Sequence, residues 1–173
     1  MAATCAEIGA KENDFKAAIE KHGQRFYTGA LTEDAYWEAV LKSLGIHAVQ
    51  AETLKKVYRS YVQPITGTLT LLPLLASQYT LITCNNSPKE WMDYRISLAS
   101  LDRYFSKFFT SGYIGHTKPS NEMYSKVFGA YNCDIKDMLY IDDNEKYITV
   151  VRERYGLPCK VYRTPTDLLT LIR

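Results

Sequence analysis

Two adjacent aspartates, Asp142 and Asp143, follow an apolar run that begins at Met138 and is typical of a buried strand. Neighbouring carboxylates repel each other, so a nearby cation usually stabilises them. Mg²⁺ is the natural candidate, because this hard cation prefers oxygen ligands. An Asp-Asn sequence can also simply open a turn and cap the next helix. We predict Asp142 and Asp143 as metal ligands, and the sequence leaves open which of them contacts the metal.

Polar residues also follow an earlier strand-like segment, and a lysine lies in a later loop. Cys84 and Asn85 lie at the end of the predicted strand 79–84, with Asn86 next to them. Lys118 lies in a loop that leads into a predicted helix. The carboxyl ends of parallel strands form the ligand crevice of open α/β sheets. We therefore expect these side chains to meet the two aspartates at one edge of a sheet.

The pattern around these residues divides the chain into a helical part and an α/β part. Residues 12–66 contain three amphipathic helices in series, which is typical of a small helical bundle. Residues 67–173 alternate short apolar strands with helices, which predicts a parallel, Rossmann-like sheet covered by helices on both faces. The predicted strands are 79–84, 108–110, 138–141 and 159–162. Residues 1–11 remain unassigned by the pattern.

Composition excludes several classes of partner. The chain has 173 residues, of which 46% are hydrophobic and 23% charged, as in ordinary globular proteins. A formal net charge of +2 gives no reason to expect nucleic acid or a membrane surface as a partner.

The four cysteines form no Cys-x-x-Cys pair and no zinc-like cluster. They favour a reducing, cytoplasmic setting.

The three segments that carry the candidate residues resemble, in their order along the chain, motifs II, III and IV of the haloacid dehalogenase-like (HAD) hydrolase superfamily. The matching residues are Leu81-Ile-Thr-Cys-Asn85, Gly115-His-Thr-Lys-Pro119 and Tyr140-Ile-Asp-Asp-Asn144. The helical segment 12–66 resembles the cap domain of HAD subfamily I. The resemblance implies an α/β core, formed by residues 67–173, that carries the site at the carboxyl ends of its strands.

The resemblance also implies a role for each candidate residue. Lys118 is expected to hold a phosphoryl group and to orient the catalytic nucleophile. Cys84 and Asn85 are expected to bind the phosphate, although the Cys84 thiol is a poorer hydrogen-bond donor than the hydroxyl found there in the family. Asp142 and Asp143 are expected to hold Mg²⁺, which with Lys118 would offset the repulsion between phosphate and an attacking carboxylate.

The first motif of the family, Asp-x-Asp, occurs nowhere in this sequence. It supplies the nucleophile and the general acid/base, and it lies on a central strand between those of motifs II and IV. Its absence predicts two unpaired strand edges in the middle of the sheet. Three explanations stay open: an N-terminal piece is missing from the given sequence, the chain is a degenerate relative, or residues 1–10 occupy the strand position without the acids.

The function expected from these observations is that of a Mg²⁺-dependent phosphatase of small phosphorylated metabolites, inactive as given because the nucleophile motif is absent. The alternative is a non-catalytic protein that uses the HAD fold to bind a ligand or partner. A third possibility is a dehalogenase-like or epoxide-hydrolase-associated HAD domain. The acid pair argues against the dehalogenase branch, which needs no metal.

Overall fold

A computed structural model describes residues 2–172, with side chains described from Thr4 onward. Met1 and Arg173, the outermost residues of the segments 1–11 and 67–173, lie outside this range. The predicted α/β class with parallel strands is confirmed. The strands are β1 (Leu81–Asn85), β2 (Phe105–Thr110), β3 (Tyr140–Asp142) and β4 (Cys159–Val161). The helices are α1 (Ala2–Ile8), α2 (Glu12–Tyr27), α3 (Glu33–Ser43), α4 (Ala51–Tyr61), α5 (Thr66–Leu69), α6 (Leu72–Gln78), α7 (Lys89–Ala99), α8 (Ser111–Ile114), α9 (Asn121–Phe128), α10 (Glu145–Tyr155) and α11 (Thr166–Leu169).

Helices α1 to α4 share one hydrophobic core, which we call the cap core. Phe26 and Val40 are fully buried in it, and Leu54 of α4 is almost so. The start of α3 is fixed by Thr32, whose side chain accepts a hydrogen bond from the Ala35 amide as an N-cap. The cap core also receives Trp91, which belongs to α7 rather than to the four helices. The cap and the α/β part are therefore packed together through an aromatic side chain.

Helix α1 settles one of the three explanations for the absent first motif. Residues 2–8 form a helix, and Cys5 and Ile8 are buried in the cap core beside Phe15 of α2. The explanation that residues 1–10 occupy a strand position is therefore wrong. Their apolar side chains are taken up by the cap, so the segment extends the helical bundle.

The strands form two separate parallel pairs within residues 2–172. β1 pairs with β2, and β3 pairs with β4. On β3, the Tyr140 amide donates to the Pro158 carbonyl and the Asp142 carbonyl accepts from Tyr162, so both residues use the β4 side. The peptide groups of Ile141 must then point to the opposite edge, because hydrogen-bonding direction alternates along a strand. This division into two pairs is what the absence of a central strand predicts.

Side chains connect the two strand pairs where the backbone does not. A second hydrophobic core surrounds Tyr124 of α9, Tyr140 of β3 and Val151 of α10. Cys84 of β1 packs against this cluster although β1 belongs to the other pair. The packing thus holds the carboxyl ends of β1 and β3 in one region of the molecule.

The contact between cap and core, which we call the seam, contains a buried carboxylate. Glu33 of α3 is 2% exposed. Its carboxylate accepts hydrogen bonds from Arg59 of α4 at 2.8 Å and from the Trp91 indole of α7 at 2.9 Å. The backbone also approaches closely here, since a Cβ added at Gly29 would lie 2.2 Å from the Gly112 carbonyl oxygen. The cap is therefore seated next to the carboxyl end of β2.

None of the helices between residues 2 and 172 is long and apolar enough to cross a membrane.

We expect Glu33→Gln to lower the free energy of unfolding by about 3 kcal/mol, because Arg59 would keep its charge in a partly buried position without a counter-ion. Urea unfolding followed by tryptophan fluorescence measures the change. Glu38→Gln is the matched control, since Glu38 is exposed on the same helix and its replacement should change stability by less than about 0.5 kcal/mol. Equal effects of the two substitutions would contradict the stabilising role of the buried pair.

Candidate functional site

Some of the residues expected to form a site, Lys118 and Asp142 above all, meet at the carboxyl ends of β1 and β3. Asp142 is the last residue of β3, and Asn86 directly follows β1. Lys118 lies in the loop between α8 and α9 and reaches both of them. The crevice position expected for α/β proteins is therefore where these side chains meet.

A buried ion pair lies at the centre of this arrangement. The Lys118 ammonium donates to Asp142 Oδ2 at 2.6 Å, and the two side chains are 8% and 5% exposed. The Tyr140 hydroxyl donates to the same oxygen at 2.6 Å, and the Asn144 amide donates to Oδ1 at 2.9 Å. Burial acts to raise the pKa of Asp142, but the hydrogen bonds from Lys118 and Tyr140 outweigh it and hold the pKa below its ordinary value. Asp142 is therefore ionised at neutral pH, with both oxygens engaged.

Lys118 is held from a second direction by Asn86 and Tyr147. The Asn86 carboxamide accepts from the Lys118 amide at 2.7 Å and donates to the Lys118 carbonyl at 3.1 Å. It also donates to the Tyr147 hydroxyl at 3.2 Å, and the centroid of the Tyr147 ring lies 4.7 Å from the Lys118 ammonium. This cation–π distance is within the favourable range. The backbone and the charge of Lys118 are thus both fixed before any ligand binds.

Asp143 differs from the neighbouring Asp142 in exposure and in hydrogen bonding, and both properties affect whether a carboxylate can bind a metal. Its side chain is exposed, and no hydrogen bond engages its carboxylate within residues 2–172. No group of three or more potential ligands among the histidines, cysteines and acids described here could hold a metal ion by protein atoms alone. Mg²⁺ often binds through one or two carboxylates, with water and phosphate oxygens completing its octahedron. The free carboxylate of Asp143 fits that requirement, whereas both oxygens of Asp142 are occupied.

Cys84 and Asn85 take different positions from those expected for two phosphate-binding neighbours. The side-chain nitrogen of Asn85, Nδ2, contacts Met92 Sδ of α7 at 3.1 Å. The side-chain oxygen, Oδ1, is buried and has no hydrogen-bond partner within the described chain. Cys84 packs against the hydrophobic cluster that contains Tyr140, whose hydroxyl donates to Asp142. Burial raises the pKa of the Cys84 thiol to about 12, so it stays protonated. Of the two, only Cys84 is near the ion pair.

Sequence reasoning gave no role to three residues that shape this site, namely Asn86, Tyr140 and Tyr147. Asn86 was expected at the correct edge, but the predicted strand ended at residue 84 whereas β1 ends at Asn85. The strand is one residue longer than predicted, so Asn86 is the first residue after β1 rather than the second. Tyr140 and Asp142 are two residues apart on β3, which places them on one face and could have suggested their contact.

The charges at this edge determine what it can accept. The Lys118 ammonium is paired with Asp142, and the Arg163 guanidinium is paired with Glu145 while it donates to the Asp143 carbonyl at 2.8 Å. Both cations are thus already paired, and the Asp143 carboxylate adds a negative charge to this edge. A dianion such as phosphate would be repelled unless a further cation were present. Fold and site together therefore define an α/β protein whose strand ends suit an oxyanion only in combination with a cation.

The chain belongs to the haloacid dehalogenase-like hydrolase family, whose sequence profile matches residues 2–152. A comparison with curated proteins finds no match. This membership confirms the resemblance that the three motifs carry, and the fold agrees with it.

Solved structures share the fold at low sequence identity. The HAD family enzyme BT-2542 from Bacteroides thetaiotaomicron superposes with a TM-score of 0.80 at 21% identity, over 91% of this chain and 80% of that chain. A second structure of that enzyme, in complex with magnesium and inorganic phosphate, gives 0.76 at 20% identity, over 94% and 92% of the chains. A predicted HAD-like hydrolase from Porphyromonas gingivalis gives 0.73 at 14% identity, over 93% and 88%.

We expect the Cys84 thiol to resist alkylation at pH 8 while the exposed Cys133 reacts, because the thiolate is the reactive form and burial keeps Cys84 protonated. Iodoacetamide treatment for timed intervals, followed by peptide mapping by mass spectrometry, measures both rates. Protein unfolded in urea serves as the control, and there both cysteines should react at similar rates. Equal rates in the folded protein would contradict the burial of Cys84.

Proposed function

We propose that this chain binds the phosphoryl group of a small phosphorylated metabolite together with Mg²⁺, the binding half of a phosphatase-type HAD site. The observation that carries the proposal is the buried Lys118–Asp142 pair at 2.6 Å, placed where the carboxyl ends of β1 and β3 meet. A lysine ammonium held at such an edge is suited to stabilise phosphoryl oxygens.

The metal would be held by Asp143, the acid whose carboxylate is free. Bound there, Mg²⁺ supplies positive charge that offsets repulsion between a phosphate dianion and the acid pair. Asp142 has a different part in this proposal: it keeps the Lys118 ammonium in place at the strand ends. The complex of BT-2542 with magnesium and inorganic phosphate supports this combination of ligands.

Chemical turnover is a separate question, because the sequence contains no Asp-x-Asp motif. Asp142 is a poor substitute as a nucleophile, since Lys118, Tyr140 and the Asn144 amide engage both of its oxygens. We therefore propose that the chain as given binds phosphate without hydrolysing phosphate esters. The four free cysteines support a cytoplasmic setting as part of the same proposal.

A non-catalytic ligand-binding protein is the second candidate, and the same missing motif favours it. Both candidates predict binding without turnover for this chain. The first makes the site one half of a phosphatase site, and the second gives it no part in catalysis. The dehalogenase-like or epoxide-hydrolase-associated candidate has less support, because the pair Asp142-Asp143 creates a demand for a cation that metal-free chemistry does not need.

We expect isothermal titration calorimetry to detect inorganic phosphate binding in the presence of Mg²⁺ and much weaker binding without it. The double substitution Lys118→Met with Asp142→Asn should weaken phosphate binding about 10- to 100-fold, because charged hydrogen bonds are lost while no buried charge is left unpaired. Asp143→Asn should remove the Mg²⁺ dependence.

Lys126→Met is the control for the loss of a positive charge, since Lys126 is exposed on α9. Unchanged phosphate affinity in the double variant would contradict the proposal. An assay with p-nitrophenyl phosphate and Mg²⁺ tests the absence of turnover. Turnover that depends on Lys118 would exclude the non-catalytic candidate and would also contradict the proposal that this chain does not hydrolyse phosphate esters.

We further expect Cys84→Ser to strengthen phosphate binding by roughly fivefold, because a hydroxyl donates a hydrogen bond worth about 1 kcal/mol more than a thiol gives. The same calorimetric titration measures the gain. Cys159→Ser is the matched control, since Cys159 is a partly buried cysteine on β4. A gain in both variants, or in neither, would place Cys84 outside the phosphate site.

A further inference from the structure

Arg95 of α7 is a cation in the seam between cap and core that has no carboxylate partner within residues 2–172. Its guanidinium donates to Ser87 Oγ at 3.0 Å and to the Tyr58 hydroxyl at 2.5 Å. Both partners are neutral, and the side chain is half-buried. A guanidinium has five N–H groups, so these two contacts leave donors available.

Arg59, the neighbouring arginine of the seam, shows the usual solution for a partly buried cation. It pairs with the Glu33 carboxylate at 2.8 Å. Glu33 also accepts from Trp91, so its oxygens are already engaged and are not free for Arg95. Removing a cation from water without a nearby anion is costly. Arg95 is therefore a position where an added oxyanion would lower the energy of the protein.

Two tyrosines pack around Trp91, which lies one helical turn before Arg95 on α7. Tyr58 stacks on the Trp91 ring at 3.8 Å between centroids, and Tyr27 meets the same ring edge-on at 6.2 Å. The Tyr58 hydroxyl accepts from Arg95, and the Tyr27 hydroxyl makes no hydrogen bond within the described residues. Burial raises the pKa of both tyrosines, so at neutral pH they remain protonated and able to donate.

The chain connectivity places this cation next to the phosphate site. Arg95 contacts Ser87, and the preceding residue, Asn86, holds Lys118 by two hydrogen bonds. Two consecutive residues of one loop therefore contact the guanidinium of Arg95 and the backbone of Lys118. A small molecule whose phosphoryl group reached Lys118 would have its remaining part next to the seam.

We propose that Arg95 and the hydroxyls of Tyr27 and Tyr58 form a second oxyanion subsite, which selects a phosphorylated metabolite that also carries a carboxylate or a second phosphate. This proposal rests on the proposed phosphate site at Lys118. An arginine fork is well suited to the task, because it binds carboxylate and phosphate oxygens in a bidentate manner.

Three non-hydrolysable phosphonates of matched size test the subsite by calorimetry in the presence of Mg²⁺. Propylphosphonate carries one anionic group, 3-phosphonopropionate has a carboxylate in place of its methyl group, and ethane-1,2-bisphosphonate has a second phosphonate. Two of these ligands, 3-phosphonopropionate and ethane-1,2-bisphosphonate, carry an anionic group at each end. The wild-type protein should bind one or both of them at least tenfold more tightly than propylphosphonate. The tighter of the two identifies the second group as carboxylate or phosphate.

Substitutions then assign the preference to Arg95. Arg95→Met should abolish the difference between the ligands and leave propylphosphonate affinity within about twofold. Arg95→Lys should keep only part of the affinity difference seen in the wild-type protein, since lysine keeps the charge but not the planar fork of donors. Arg103→Met is the matched control, because Arg103 is exposed before the amino end of β2 and should leave the preference intact.

The outcomes separate this proposal from the one on which it rests. Equal wild-type affinities for the three ligands, with binding still dependent on Lys118, would overturn the subsite and leave the phosphate site standing. A preference that survives Arg95→Met would also overturn it. Failure of all three ligands and of inorganic phosphate to bind would overturn both proposals. The comparison among ligands uses wild-type protein, so it holds even if a variant folds poorly.

Discussion

The Lys118–Asp142 ion pair is the interaction on which the geometry of the strand ends depends. It joins a loop anchored on β1 through Asn86 to the last residue of β3, across two strand pairs that share no backbone hydrogen bonds within residues 2–172. Buried ion pairs often add little net stability, because desolvation offsets the attraction. Here the pair has a positional role, since it fixes where the Lys118 ammonium stands relative to the acids.

Much of this arrangement follows from local sequence patterns. Helix α10 (Glu145–Tyr155) and the Thr32 cap of α3 are of this kind, because apolar spacing and capping residues act within a few positions. The convergence of strand ends at Lys118 follows from the general geometry of parallel strands. Helix α1 has no acidic residue in its first turn and no basic residue in its last turn to mark it, and its burial against α2 is a tertiary effect.

The contacts by which Asn86 and Tyr147 hold Lys118 could not be predicted, for a different physical reason. Asn86, Lys118 and Tyr147 are widely separated in sequence, and their contacts depend on the conformations of two loops. Periodicity carries no information about such contacts. The choice between Asn85 and Asn86 also depended on the last residue of β1, and strand ends are the least determined part of any pattern.

The division of the strands into two pairs also has a mechanical consequence. A continuous hydrogen-bonded ladder resists bending between its strands, whereas a junction made of side chains can open along a hinge at lower cost. Lys118 spans this junction, because its backbone is held by Asn86 after β1 and its ammonium is paired with Asp142 at the end of β3. A ligand that engaged Lys118 and Asp143 would add a second brace to this single ion pair, so the molecule would be stiffest when its site is filled.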